Sequence, residues 1–174
     1  MTDKQDNIRK AALALFANEG ISSTPTSKIA KMAGVSEGLI FRHYKSKQEL
    51  LNTLIKEAEK RQNEVLGPIL METNPKKVIR KVIKMPFRIT EENDKDLWKL
   101  QLKLKWQHEY NNQDKIKPLI DKLSAAFKEL KYKDAKKEAR LLNHIIEQLS
   151  SEILRGNMRQ DNAFRDFLLL KYKV

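Results

Sequence analysis

The chain has 174 residues, 40% of them apolar and 33% charged, a length that serves either one compact core or a small head and a larger body. It has no cysteine and only three scattered histidines, His43, His108 and His144, which excludes disulfides and thiolate chemistry and leaves no ligand-spaced cluster, so neither metal nor cofactor is expected. The longest apolar runs are a few residues and the N-terminus, MTDKQDNIRK, lacks a secretory apolar segment, so no membrane contact and a cytoplasmic location are expected. The net charge of +12 suits a polyanionic partner, yet residues 1–50 hold eight Lys or Arg against five Asp or Glu, so most of the excess lies beyond them.

In chain order the pattern is helix after helix. Asp3 or Asp6 caps a first helix with the stripe Ile8, Ala11, Ala12, Leu15 and Phe16, and Gly20 stops it. Thr24-Pro25 holds the backbone extended, because a residue before proline avoids the helical region. Thr26 then reads as the N-cap of a second helix, with Ile29, Ala30 and Ala33 at helical spacing and Gly34 as its left-handed stop. Ser36 is placed to cap a third helix, Glu37 to His43, and Ser46 with Glu49 has the spacing of a capping box opening a fourth. Two short helices joined by a tight turn at about residues 25–44, with small residues at their crossing, make a helix-turn-helix, whose second helix can enter a DNA major groove.

The fourth helix carries Leu50, Leu51, Leu54, Ile55, Ala58, Val65 and Leu66. Its polar middle, Lys56 to Asn63, is expected to be an exposed stalk, and Gly67-Pro68 is expected to end or kink it. Asn74-Pro75 opens a helix with Val78, Ile79, Val82 and Ile83, interrupted by Pro86. The run LWKLQLKLKW alternates like a strand, but no partner strand is available and Leu, Lys and Gln are good helix formers, so a helix is expected. Further helices follow: Ile116 to Leu130, interrupted early by Pro118; one opened by Asp134 and stopped at Gly156-Asn157; and a last one at about Asn162 to Tyr172. The expectation is an all-α protein with a DNA-binding head at residues 1–66 and a helical body at 67–174.

The residues I-A-x-x-A-G-V-S-x-G from Ile29 to Gly38, the aromatic pair around His43, then Lys47 and Leu50, resemble the DNA-binding domain of the TetR family of transcriptional regulators over roughly residues 6–66. The resemblance implies that Thr26, His43 and Lys47 meet phosphates, and that Ser36, Glu37, Gly38, Leu39, Phe41 and Arg42 lie at or near the groove. Arg42 is the one cation inside this recognition helix with a planar fork for a guanine edge, the alternative being a phosphate contact. Phe41 stands where the family usually has tyrosine, so it has no hydroxyl to donate and is left to pack or meet a thymine methyl. The resemblance also implies a homodimer on double-stranded DNA with a palindromic operator, a repressor released by a small apolar or amphipathic ligand. The alternative keeps DNA binding and gives the body to dimerisation or a protein partner, without a ligand.

In the body the expected pocket residues are Met71, Met85, Phe87, Trp98, Leu102, Trp106, Tyr110 and Phe127, the bulky groups of the region where the family binds inducers. The resemblance implies a dimer interface on the last two long helices, and Leu142, Ile145, Ile146, Leu149, Ile153, Phe164, Phe167 and Leu168 fit that use, because a helix apolar over more than one stripe needs cover on two sides; the alternative is a core helix of a monomer. A lysine at Ile146 or Leu149 is accordingly expected to give a folded monomer. No Ser-His-Asp spacing, paired carboxylate or Gly-rich phosphate loop stands out, so no catalytic residue is assigned and no enzyme is expected.

Overall fold

Nine helices carry the described residues, 3–88, 94–105, 113–158 and 162–174, of a computed structural model, in which the side chains of residues 113–115 are not described. They are α1 (Asp3–Asn18), α2 (Thr26–Ala33), α3 (Glu37–Tyr44), α4 (Lys47–Leu70), α5 (Pro75–Arg88), α6 (Lys95–Leu104), α7 (Gln113–Glu129), α8 (Ala135–Arg155) and α9 (Asn162–Tyr172). The chain is all-α, and the alternating run in α6 is helical, as its residue types favour. It forms two compact units: Met1–Arg61 with Asp96–Gln107, and Gln62–Lys95 with His108–Val174.

In the first unit α1 buries the stripe Ile8, Ala11, Ala12, Leu15 and Phe16, and α2 and α3 pack against it. Arg9 ties α1 to α4 with a fork: its Nη1 donates to both carboxylate oxygens of Glu57, at 2.6 and 2.7 Å, while its Nη2 donates to Asp6 at 2.8 Å. Lys10 and Arg9 together hold the Asp6 carboxyl below the usual carboxylate range. The middle of α4 is therefore not the exposed stalk its polarity suggested. Ala58 is buried, Glu57 is engaged by Arg9, and the Ala58 carbonyl accepts from Gln101 at 2.7 Å. Single small or charged residues inside a polar run can be structural when a neighbouring helix meets their face.

α6 belongs to this same unit, although it comes long after it in sequence. Its Lys99 donates to Asn18 Oδ1 at 2.7 Å and its Lys103 to the Asn18 carbonyl at 3.0 Å. Two ammonium groups at the C-terminus of α1 meet the negative end of that helix's dipole and satisfy a carbonyl that has no partner in the helix.

The second unit is built around Val78, Ile79, Val82 and Ile83 of α5, Leu119, Leu123 and Phe127 of α7, and Leu142, Ile146 and Leu149 of α8, closed by Leu168 and Tyr172 of α9. Phe127 sits between Tyr132 and Tyr172, with ring centroids 4.9 and 5.5 Å away. Burial pushes the Tyr172 hydroxyl up to about 12. The prolines break none of these helices: α4 runs through Pro68 to Leu70, α5 through Pro86 to Arg88, and α7 through Pro118. An interior proline costs about 3 kcal/mol. Leu66 and Ile69 on either side of Pro68, each buried, contribute about 1.5–3 kcal/mol apiece, together comparable to that cost or larger.

Candidate nucleic-acid interface

Three helix starts converge by short turns at the site. Pro25, extended at φ −71° and ψ 154°, is the N-cap of α2, so Thr26 is its first helical residue and not the cap the sequence suggested. Ser36 does occupy the N-cap of α3, but its hydroxyl makes no capping bond. Gly34 ends α2 in the left-handed region at φ 66°, and its N–H and that of Val35 close onto Lys31 and Ala30 carbonyls. Ser46 accepts from the Glu49 N–H at 3.1 Å, one half of the anticipated capping box.

Two residues of α3 are buried. Ile40 is wholly buried and Tyr44 nearly so, its hydroxyl donating to the Gln5 carbonyl at 3.4 Å instead of reaching solvent. With that edge fixed, Glu37, Gly38, Phe41 and Arg42 are exposed, and Leu39 and His43 are half-buried. Phe41 is 44% exposed, a large apolar ring left in water on the one helix whose other outward residues are polar or glycine. A Cβ added at Gly38 would meet nothing within 4 Å, so nothing inside the chain requires glycine there.

The turn from α3 to α4 is tight and strained. Lys45 has φ 53° and ψ −38°, and the Ser46 N–H reaches the Tyr44 carbonyl at 2.5 Å, a three-residue turn that a β-carbon disfavours. This turn sets Lys47 at the first position of α4, with its Nζ 6.0 Å from the centroid of the Phe16 ring. Lys45 is exposed between His43 and Lys47 and was absent from the expected set. Its place in the K-S-K run was the available signal. At the other end of α3, the Thr26 hydroxyl donates to the Glu37 carboxylate, joining the first residue of α2 to the first of α3. Thr26, Ser36, Glu37, Gly38, Leu39, Phe41, Arg42, His43 and Lys47 thus all lie on α2, α3 and the two junctions that flank α3.

The body residues are distributed differently. Of the eight expected around a pocket, Met85 and Phe127 belong to the core of the second unit, Phe87 is buried on α5, and Met71 is 84% exposed and lines no buried surface. Trp98 and Leu102 lie on α6 in the first unit, while Trp106 and Tyr110 fall outside the described residues. The eight therefore do not share one packed unit. The expected interface also needs correction. Leu142, Ile146, Leu149, Ile153 and Leu168 are at most 6% exposed within the single chain, so they have almost no area left to give a partner. They form the stripe that the chain's own core covers. Ile145 is half-buried, and the large apolar residues of α8 and α9 that remain exposed are Leu141, Phe164, Phe167 and Leu170. The Phe164 and Phe167 rings lie 5.9 Å apart.

Residues 8–54 match the family of bacterial regulatory proteins described as the tetR family. Over 52 residues the chain is 40% identical to the HTH-type transcriptional regulator AcrR of Shigella flexneri, covering 30% of this chain and 24% of that protein. The chain spans about a quarter of the length of that curated relative. Among solved structures, a TetR-like transcriptional regulator from Rhodococcus sp. RHA1 superimposes with a TM-score of 0.78 at 20% identity, covering 95% of this chain and 91% of that one. The transcriptional regulator FadR of Bacillus subtilis, in complex with stearoyl-CoA, does so with a TM-score of 0.65 at 20% identity and 95% coverage of both chains. The sequence likeness thus lies in the head, and the likeness of fold extends over nearly the whole chain.

Proposed function

We propose that this chain, which belongs to the tetR family of bacterial regulatory proteins and is a transcriptional regulator with a helix-turn-helix domain, acts in the cytoplasm as a homodimeric repressor on a palindromic operator. The observation that carries the reading is the outward face of α3. Glu37, Gly38, Phe41 and Arg42 stand exposed on a helix held from behind by Ile40 and Tyr44, with helix starts at Thr26 and Lys47 beside it. Free N–H groups at those starts suit phosphates, Arg42 suits a guanine edge, and Phe41 suits a thymine methyl. An exposed glycine inside a helix has an intrinsic cost of up to about 1 kcal/mol, and close approach of a partner's backbone gives Gly38 a use.

One recognition helix touches too few base pairs for useful discrimination, which favours two heads at successive major grooves roughly 34–36 Å apart or a multiple of it. Dimerisation through Leu141, Phe164, Phe167 and Leu170 would cover apolar side chains that the single chain leaves in water. A small apolar or amphipathic ligand as the releasing signal is supported by the likeness of fold to the FadR protein that holds stearoyl-CoA. A second reading, a body without a small-molecule ligand, is favoured by Phe127, whose ring is packed between two tyrosine rings of its own chain.

The test is selection of bound fragments from the source organism's genomic DNA with purified protein, followed by release of the selected fragment with fatty acyl chains of graded length. A recovered palindrome released by one chain-length class supports the reading. Recovery of random fragments would overturn operator binding, and a palindrome indifferent to every acyl ligand would leave the second reading.

A further inference from the structure

Glu37 is an acid at the start of a helix whose last turn carries Arg42 and His43. Its carboxylate is exposed, and among the described residues no lysine or arginine forms an ion pair with it. Its partner is instead neutral: the Thr26 hydroxyl, eleven residues earlier at the start of α2, donates to Glu37 Oε1. A hydroxyl has one proton to give. While that proton is on Glu37, the Thr26 side chain has only lone pairs left to present to a phosphate, and phosphate oxygens are acceptors too.

Resting on the DNA-binding reading above, we propose that Thr26 is a positioning residue for Glu37, and that Glu37 so held selects cytosine at one base pair of each half-site. An acid in a major groove is repelled by the phosphates unless a base edge supplies a donor. Cytosine supplies one, its N4 amino group, with no acceptor in the same groove edge, whereas adenine sets N7 beside its amino group and guanine shows two acceptors. Thr26 engages Oε1 and turns Oε2 outward as the acceptor best placed for the one major-groove proton that cytosine offers. The bond also removes rotamer freedom from a long side chain before DNA arrives, which lowers the entropy cost of fixing it at the interface.

The experiment is selection from randomised double-stranded oligonucleotides with the full-length protein and its Glu37→Gln, Glu37→Ala and Thr26→Val variants, with folding checked by circular dichroism. The wild type is expected to prefer cytosine at one position of each half-site by about five- to a hundredfold. Glu37→Gln should move that same position to adenine, whose N6 and N7 fit an amide, and Glu37→Ala should leave it without preference. Thr26→Val, which removes the donor at constant shape, should reduce the cytosine preference while keeping the rest of the motif and the salt dependence. If Thr26→Val instead weakens all sequences alike and lowers the salt slope by about 1 with the cytosine preference intact, Thr26 is a phosphate contact and the positioning role is overturned. An unchanged motif in both Glu37 variants would overturn base reading by the acid. Failure of the wild type to select any motif would overturn the operator reading itself, a result distinct from the other two.

Discussion

α3 and α8 differ in how much of their length the core takes up. α3 has eight residues and buries two, Ile40 and Tyr44; α8 has 21 and buries eight. A two-turn helix held at two points cannot be stable alone and depends on α1 and α2 behind it, so most of its length is free to carry chemistry outward. A six-turn helix in the middle of a core spends its apolar stripe on its own chain, and what remains for a partner is the residue just off the stripe. The lesson is that an apolar position on a short surface helix such as Phe41 points to a partner, whereas the same residue type on α8 points inward by default.

The sharpest way to break this contrast is a charge inside the α8 stripe, set against charges on the exposed face of α9. Ile146→Lys puts an ammonium at a position 2% exposed in an apolar core, and should cost about 4 kcal/mol or more and leave the body unfolded in urea titrations. This replaces the folded monomer expected from the sequence pattern. If Ile146→Lys folds with near wild-type stability, the assignment of this stripe to the chain's own core is wrong.

A smaller but functional effect is expected from the exposed side. Phe167→Glu combined with Leu170→Glu, at positions 57% and 78% exposed, should leave the thermal midpoint of the monomer within about 1–2 °C, since surface changes are usually within about 0.5 kcal/mol. Sedimentation should show loss of the dimer, and operator binding should fall by about a hundredfold or more as the second head loses its tether. A dimer unaffected by these charges places the interface elsewhere.

On α3 the comparison is sharpened by two cations. Arg42→Ala should weaken specific binding by about 1–3 kcal/mol and relax one base pair per half-site, while Lys47→Ala should weaken all sequences about equally and lower the salt slope by about 1. Fluorescence anisotropy on operator and random DNA at several salt concentrations separates them. Equal losses for Arg42→Ala on both DNAs would remove it from base reading.

The smallest effect is the most discriminating about what the surface of α3 is for. Gly38→Ala adds a methyl that meets nothing within the chain, so the head should gain about 0.5–1 kcal/mol in chemical denaturation. Operator affinity should nonetheless drop, because the same methyl stands where a DNA backbone or base edge is to approach. Gain in both would leave Gly38 without a role at the interface.

Much of this was legible in the sequence, and the reason is locality. Turn and cap chemistry acts over three or four residues, so Gly34 as a left-handed stop, Asn74 capping α5 through the Lys77 N–H, Gly156 ending α8 and the span of α9 could all be read from neighbours in the chain. The helical period likewise marked the α1 and α5 stripes. What the sequence could not supply is which element covers a given face. The polar middle of α4 holds its place through Arg9 and Gln101, which lie 48 and 43 residues away, and α6 joins the first unit through Asn18, 81 and 85 residues from the lysines that grip it. The prolines at 68, 86 and 118 stay helical because packing exceeds a local penalty. Periodicity identified α8 as apolar on a broad face, but only the neighbouring α5 and α7 decided that Leu142, Ile146 and Leu149 turn inward while Leu141 stays in water. Local backbone preferences are written residue by residue; the choice of which apolar area is removed from water belongs to the packed whole, since the hydrophobic effect has no direction of its own.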